Sequence, residues 1–245
     1  MFCRPWRSFV WLSLALAAPA AWAQPEDHLE CGFHELEAAL EVGALALSQG
    51  MNESLHRDMS QLLDAASIRA EELGASDLVP ECRLRLAEFY HRLGQGAQSL
   101  GRMTDAETWL QRSLDLYRSE MGESVPVLGD ILDDLSEVYY RTGRSDVGFS
   151  LREQAYELRR ATLREDDPRV AKSLMDLGAA YQLRGELGLS EQYYRQGIAI
   201  LEKVGGEHPQ QLGEALLVLA NLVEKAGRIE EAKALTARGL KLLDG

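Results

Sequence analysis

The sequence is short of basic residues, with 26 Lys and Arg against 39 Asp and Glu and a formal net charge of −13. A nucleic-acid-binding protein needs a basic surface that displaces counterions from the phosphates. Beyond the N-terminal segment, no apolar run reaches the roughly 20 residues of a membrane-spanning helix. The composition therefore excludes a nucleic-acid-binding protein and a membrane-spanning one. Cysteine is also scarce, with three residues among 245.

Residues 1–23 have the pattern of a secretory signal peptide. Arg4 and Arg7 precede a short apolar run, and small residues lead up to a cleavage site after Ala23. The run is too short to cross a bilayer as a helix. We expect cleavage before Gln24, which predicts a periplasmic or secreted protein.

The chain beyond residue 80 repeats itself with a period of 42 residues. Each unit has a leucine, a small residue directly after it, and a glycine eight residues after the leucine. The leucines are Leu93, Leu135, Leu177 and Leu219, and the glycines are Gly101, Gly143, Gly185 and Gly227. On both sides of each glycine, apolar residues recur at helical spacing, which predicts two helices per unit. A glycine is a common helix end, and the small residue predicts a close crossing of the two helices.

We predict four repeats at about 81–122, 123–164, 165–206 and 207–245. The preceding residues, 24–80, form a helical segment that contains a degenerate repeat, in which Asn52 caps a helix. Units of this kind bury their apolar faces against their neighbours and form no single central core.

These positions resemble the tetratricopeptide repeat family, whose signature is a leucine, a small residue, an aromatic residue, a glycine and an alanine at these offsets. The period of 42 and the pair His208-Pro209 are similar to the kinesin-light-chain type of repeat. Ala97 and Val223 depart from the pattern, since an aromatic residue is expected there. The resemblance implies an all-α fold, a right-handed α-solenoid of antiparallel helix pairs. It also implies that first helices line a concave groove in which protein ligands bind.

The side chains of the first helices that do not pack are candidates for partner binding. In the second unit, four carboxylates have the spacing of one helix face, and the sequence predicts an acidic middle of the groove. The predicted partner-binding residues are Asp130, Asp133, Asp134, Glu137, Tyr140, Arg141, Lys172, Met175, Gln182, Asn221 and Glu224. We expect a basic or amphipathic peptide or protein there. The alternative is a solvated acidic face, and a calcium site is disfavoured because one straight helix rarely surrounds the ion.

Cys31 and Cys82 are the two cysteines left after signal cleavage, and an exported protein meets an oxidising compartment. We predict a disulfide between them, which stabilises the fold by about 4 kcal/mol in the chain-entropy model. Packed helices lie ~8–10 Å apart, whereas the Cα atoms of a disulfide lie within ~7 Å. The starts of the two helices must therefore converge.

His28, Cys31 and His34 suggest an alternative, a metal-dependent protein or an enzyme that uses the N-terminal segment. A polar chain end is the simpler interpretation. The sequence has no phosphate-binding loop, nucleophile elbow or zinc-protease motif. We predict a non-catalytic scaffold or assembly factor of the cell envelope, with no metal and no cofactor.

The last predicted helix pair suggests a third interpretation, a structural oligomer. The sequence stops directly after it, so Leu219, Val223, Leu235 and Leu242 are expected to be partly uncovered. An exposed apolar face commonly marks an association site, and self-association through the C-terminal repeat is the corresponding expectation.

Overall fold

The computed structural model describes residues 53–73, 78, 80–205 and 208–244. These residues form nine α-helices and no strand. The helices are α1 Glu53–Leu73, α2 Pro80–Ser99, α3 Met103–Met121, α4 Val127–Arg141, α5 Ser145–Thr162, α6 Pro168–Leu183, α7 Leu187–Lys203, α8 Pro209–Lys225 and α9 Ile229–Leu243. The all-α fold and the helix pairs, one on each side of every repeated glycine, are confirmed. The predicted signal peptide and Asn52 lie outside the described residues.

The first helices of the four pairs are α2, α4, α6 and α8, and the second helices are α3, α5, α7 and α9. Prolines begin three of the first helices, at Pro80, Pro168 and Pro209. A proline is favourable at this position because its fixed φ suits a helix and the first turn does not need its N–H group. Before α6, the Asp167 carboxylate accepts a hydrogen bond from the N–H of Arg169 at 2.9 Å. This cap satisfies one of the N–H groups that have no partner inside the helix.

The repeated glycines make the turns between the two helices of each pair. Gly101, Gly143, Gly185 and Gly227 have φ between 75° and 82°. After α6, the N–H of Glu186 donates to the carbonyl of Tyr181 at 2.9 Å, and that of Gly185 donates to Gln182 at 3.0 Å. This is the Schellman ending of a helix, which requires a left-handed residue and therefore favours glycine.

The small residue after each repeated leucine lies where two helices cross. A Cβ atom added to Gly94 would lie 2.5 Å from the Cγ of Leu110, and one added to Gly178 would lie 2.8 Å from the ring of Tyr194. These distances are shorter than a van der Waals contact. The predicted reason for the small residue, a close approach of the two helices, is confirmed.

The described residues divide into two compact units. Unit 1 comprises the residues up to 123 together with 137–143, and unit 2 comprises 124–136 and the residues from 144 onward. Helix α4 contributes its last turn to unit 1 and its earlier turns to unit 2. In unit 1, the buried ring of Trp109 stacks on Tyr90 with their centroids 5.4 Å apart, and Leu63 from α1 lies against Gly96.

The core of unit 2 contains buried side chains from α6, α7, α8 and α9. Its members are Ala171, Tyr194, Ile198, Leu201, Leu212, Ala215, Leu216, Leu219, Leu222, Val223 and Ala232. A helix of this length would be marginal alone in water. The stability of unit 2 therefore comes from the burial of these apolar faces against one another.

The prediction of an uncovered last helix pair was wrong for two of its four residues. Leu219 and Val223 are buried, because α9 covers the face of α8 on which they lie. Leu235 and Leu242 are half-buried. The exposed apolar side chains of α9 are instead Ile229, Leu240 and Leu243.

Candidate functional site

Two of the predicted acidic residues on α4, Asp130 and Asp133, contact a buried arginine of α5. The Arg159 guanidinium donates to Asp130 at 2.6 Å and to Asp133 at 2.7 Å. It also donates to the hydroxyl of Ser173 on α6 at 2.5 Å. The Arg159 side chain is 1% exposed, whereas that of Asp130 is 49% exposed. One side of this ion pair is therefore in the interior of unit 2 and the other reaches solvent.

The charge of Arg159 is retained despite its burial. Burial acts to lower the pKa of the guanidinium, but Asp133 and Asp130 outweigh it, and the pKa of Arg159 is raised. A cation without such partners would be costly in this position. The two carboxylates and the arginine therefore form one charged cluster. We use the name Arg159 cluster for these three residues together with Ser173, Lys172 and Asp176.

Gly129 makes room for this arginine. A Cβ atom at Gly129 would lie 2.9 Å from the Nε of Arg159 and 3.2 Å from its Cγ. The arginine side chain passes over the first turn of α4 at the one place where that helix has no side chain. The close approach brings the guanidinium within reach of Asp130 in the same turn and of Asp133 in the next.

Lys172 extends the cluster to the surface of α6. Its ammonium donates to Asp133 at 2.9 Å and to Asp176 at 2.8 Å. Burial acts to lower the pKa of Lys172, but the effect of Asp176 and Asp133 is larger. The pKa of Lys172 is therefore raised and the lysine is charged. Arg152 of α5 donates to the main-chain carbonyl of Asp176 at 2.9 Å. These contacts hold α4, α5 and α6 in one arrangement.

The remaining predicted residues of unit 2 are spread over α4, α6 and α8. Asp134 and Gln182 are half-buried, and Asn221 and Glu224 are exposed. Met175 has a packing role as well, because its Cγ lies 2.8 Å from where a Cβ of Gly197 would be. We call the exposed or half-buried side chains Asp130, Asp134, Lys172, Asp176, Gln182, Glu214, Asn221 and Glu224 the first-helix face of unit 2.

Three predicted residues belong to unit 1. Glu137 is exposed and Tyr140 is half-buried. Arg141 is exposed and donates to the main-chain carbonyl of Gln98 at 3.2 Å. This bond joins the last turn of α4 to the last turn of α2, so Arg141 has a structural contact that the sequence did not indicate.

Arg159 is the residue that sequence reasoning missed. It lies near the end of a second helix, where a charged side chain ordinarily points to solvent. A signal was present in the repeat itself, because the same position holds Tyr117, Leu201 and Leu243 in the other units. A charged residue at a position that is otherwise large and apolar predicts a buried charge with partners.

The sequence alternatives that involve metal or disulfide chemistry rest partly on residues outside the described part. His28, Cys31 and His34 lie there, and Cys82 is half-buried in the first turn of α2. The predicted bridge between Cys31 and Cys82 stays a prediction. Within the described residues, no group of three or more His, Cys, Asp or Glu side chains is arranged to hold a metal ion.

The family model of the tetratricopeptide repeat matches the chain at residues 85–147 and 135–203. Over these residues the chain belongs to the tetratricopeptide repeat family. No curated protein matches it in sequence. Where the structure describes the chain, none of its helices is both long and apolar enough to span a membrane.

Solved structures similar to the chain are repeat proteins of the same fold. BtubC (BKLC) from P. vanneervenii has a TM-score of 0.71 and 19% identity, over 97% of this chain and 90% of that one. A putative kinesin light chain with nearly identical TPR-like repeats, from Podospora anserina, has a TM-score of 0.61 and 20% identity, over 85% and 94%. The apo form of RapI has a TM-score of 0.67 and 16% identity, over 86% and 70%. At these identities the likeness shows the α-solenoid fold and nothing further about activity.

Proposed function

We propose that this protein is a non-catalytic scaffold or assembly factor of the cell envelope that holds a basic or amphipathic protein segment on its first-helix face. The tetratricopeptide fold supports a protein-binding scaffold. The envelope location rests on the signal-peptide pattern of residues 1–23. The choice of face is supported by the family resemblance, which implies that first helices line a groove in which protein ligands bind.

The observation that carries the proposal is the arrangement of charge around Arg159. Two carboxylates, Asp130 and Asp133, are held by a buried guanidinium, and Lys172 is held between Asp133 and Asp176. These side chains lose little conformational freedom when a partner binds, because they are already ordered. Such preorganisation lowers the entropic cost of association.

The proposed partner is basic because carboxylates outnumber cations on the first-helix face. Its five carboxylates are Asp130, Asp134, Asp176, Glu214 and Glu224, and the cations beside them are Lys172 and Arg169, which interacts electrostatically with Asp130. The net charge of the chain has the same sign. A field of this sign accelerates the encounter with a positively charged partner and repels an acidic one.

Photo-cross-linking tests this proposal. A photoreactive residue replaces Asn221, which is exposed on α8, and a second variant carries it at Gln154, which is exposed on α5. Both proteins are expressed in the source organism with the full chain. A discrete adduct from position 221 alone supports the first-helix face and identifies the partner by mass spectrometry. Equal adducts from both positions, or none from either, contradict the proposal.

The disulfide between Cys31 and Cys82 is part of the proposed envelope location. Mass spectrometry of non-reduced protein from the envelope fraction is expected to yield one peptide pair that contains both cysteines. Alkylation of both thiols without prior reduction would contradict the bridge and weaken the case for an oxidising compartment.

Self-association through the C-terminal repeat is a separate proposal, and Leu240 and Leu243 of α9 favour it because both are exposed. Sedimentation at micromolar concentration is expected to show a dimer that Leu240→Glu weakens. A monomer at all concentrations would contradict it.

A further inference from the structure

The edge of unit 2 formed by the turns between first and second helices exposes several large apolar side chains. They are Val147, Leu183, Leu187, Leu189 and Ile229, and their exposure ranges from 38% to 71%. We call these five residues the apolar edge. None of the five belongs to the first-helix face, and four of them, Val147, Leu187, Leu189 and Ile229, lie on the second helices α5, α7 and α9.

The repeats provide an internal control for this edge. We compare three positions of each repeat, which lie two residues before, two after and four after the turn glycine. In the third repeat they hold Leu183, Leu187 and Leu189. The same positions hold Ser99, Met103 and Asp105 in the first repeat, Arg141, Ser145 and Val147 in the second, and Lys225, Ile229 and Glu231 in the fourth. The fold therefore accepts polar residues at all three positions. The leucines of the third repeat are not a requirement of packing.

The second and third repeats meet at this edge through aromatic and ionic contacts. The Arg184 guanidinium lies 4.2 Å from the ring centroid of Phe149 and 3.7 Å from the Asp146 carboxylate. The Phe149 and Tyr181 rings meet edge to face at 5.1 Å. These contacts bring the start of α5, which carries Val147, next to the end of α6, which carries Leu183.

The third and fourth repeats are joined at the same edge by ion pairs. Glu191 at the start of α7 accepts hydrogen bonds from Arg195 and from Arg228, and Arg195 also donates to Glu231 of α9 at 2.7 Å. Ile229 lies between Arg228 and Glu231 in this network. Side-chain contacts therefore hold in place the backbone segments that carry the apolar edge.

Size and charge distinguish the molecules that could bind the apolar edge. Side chains with these exposures present on the order of 300 Å² of apolar surface, which is typical of a functional patch on a monomer. Each partner of a stable protein complex buries about 800 Å². The chain has a net charge of −13, so an anionic membrane would repel the protein.

The geometry points to a second docking surface, in which the apolar edge of unit 2 binds the apolar stripe of a short basic amphipathic helix from a partner protein. The leucines bind the stripe, and the positive face of the helix matches the acidic charge of the protein. A short helix covers an area of the size available, which a folded partner or a second copy exceeds. The inference goes beyond the proposed function, because the first-helix face takes no part in it.

Binding of a synthetic probe tests this inference on the full mature chain. The probe is an 18-residue peptide with leucines at helical spacing on one face and lysines on the other. The control peptide has the same composition with the leucines distributed around the helix. We expect the amphipathic probe to bind at least tenfold more tightly than the control peptide.

Paired variants locate the probe. Leu183→Glu combined with Leu187→Glu is expected to weaken probe binding at least tenfold. Ile68→Glu combined with Met121→Glu adds the same charge at exposed apolar positions of unit 1 and is expected to change binding less than twofold. Because Leu187 is the first residue of α7, a glutamate there suits the helix N-terminus and keeps the variant folded. Thermal unfolding followed by circular dichroism checks the folding of both variants.

The methyl groups distinguish this surface from the first-helix face. In methyl-labelled protein, the probe is expected to shift the resonances of Leu183, Leu187 and Leu189 and to leave Met175 unchanged. Met175 is half-buried on α6 directly before Asp176 of the first-helix face. Shifts at Met175 alone would therefore place the probe at that face and overturn the inference while the proposed function stands. Equal binding of both peptides, no binding, or the same loss in the unit 1 variant would also overturn it.

Two further outcomes would show that the apolar edge binds a membrane or a second copy of the chain, and either would overturn the inference. One is sedimentation with phosphatidylcholine vesicles that depends on Leu183 and Leu187. The other is a dimer in sedimentation that the paired leucine variant abolishes.

Discussion

In the second and fourth repeats, a long side chain of the second helix packs on a glycine of the first helix, but the long side chain differs between the two repeats. A Cβ at Gly129 would lie 2.9 Å from the Nε of Arg159, and a Cβ at Gly213 would lie 2.9 Å from the Cγ of Leu243. Both glycines stand at the same position of the repeat, and so do the two long side chains. In one repeat the side chain is a charged guanidinium, and in the other it is apolar.

The difference shows what the fold requires at this position. It requires a long side chain from the second helix and a small residue on the first. In the third repeat these positions hold Leu201 and Ala171, which belong to one buried cluster. It does not require charge. A buried ion pair is often no more stabilising than apolar residues of similar volume. Under the proposed function, the charge in the second repeat serves the binding surface, where Asp130 and Lys172 meet solvent.

Removal of the arginine alone is expected to have the largest effect on stability. Arg159→Ala leaves Asp133 in the interior with one cation, Lys172, and leaves a cavity over Gly129. The loss of one partner of a buried ion pair costs about 3–5 kcal/mol, and we expect about 3 kcal/mol because Lys172 remains. Urea unfolding measures the free energy of unfolding.

The matched control is Arg160→Ala, since Arg160 is the next residue and its side chain is 61% exposed. A change below about 0.5 kcal/mol is expected there, as for an exposed ion pair. Equal losses for the two variants would show that the buried cluster has no special role in stability.

Filling the space over α4 is expected to have a smaller effect. Gly129→Ala forces the arginine stem to move, a change that costs about 1–3 kcal/mol, while the better helix propensity of alanine offsets up to about 1 kcal/mol. We expect a net loss of about 1 kcal/mol in urea unfolding. The loss should disappear in the background of Arg159→Ala, because the clashing side chain is gone. Additive losses would contradict the contact.

The exposed ion pairs between α7 and α9 are expected to contribute less than the buried cluster. Hydrogen bonds from Arg228 and Arg195 hold the pKa of Glu191 below its ordinary value of 4.5. A lowered folded-state pKa gives stability that is complete above about pH 4.5 and is lost as the pH falls below it. Glu191→Gln is expected to cost under about 1 kcal/mol at pH 7. The difference from the unsubstituted protein should shrink below pH 4 and in high salt, and a constant difference would contradict the ionic origin.

Much of the fold could be predicted from the sequence because the same structural signals recur in all four repeats. The turn glycines and the small residues at helix crossings recur every 42 residues, and a proline lies at or directly before the start of each first helix. The face of α9 could not be predicted in the same way. Leu219 and Val223 were expected to be uncovered, since the spacing does not show how completely one helix covers its partner.

The candidate site was predicted as a set of side chains without their contacts. The four carboxylates of the second unit were identified from their spacing on one helix face. Their partner Arg159 was missed because it lies on another helix, and helix periodicity describes one helix at a time. The comparison of Arg159 with Tyr117, Leu201 and Leu243 contains the information that periodicity lacks.

A triple substitution that removes the charges of Arg159 and of its two carboxylates tests the central claim most directly. Arg159→Leu, Asp130→Asn and Asp133→Asn together replace these charges with neutral side chains, and Leu is the residue that the fourth repeat has in place of Arg159. We expect the free energy of unfolding to stay within about 1 kcal/mol of the original. In this background, the yield of the cross-linked adduct from position 221 is the quantity to measure. A fall of at least fivefold in a folded protein is the predicted result, and an unchanged yield would contradict the claim that the charge serves the binding surface.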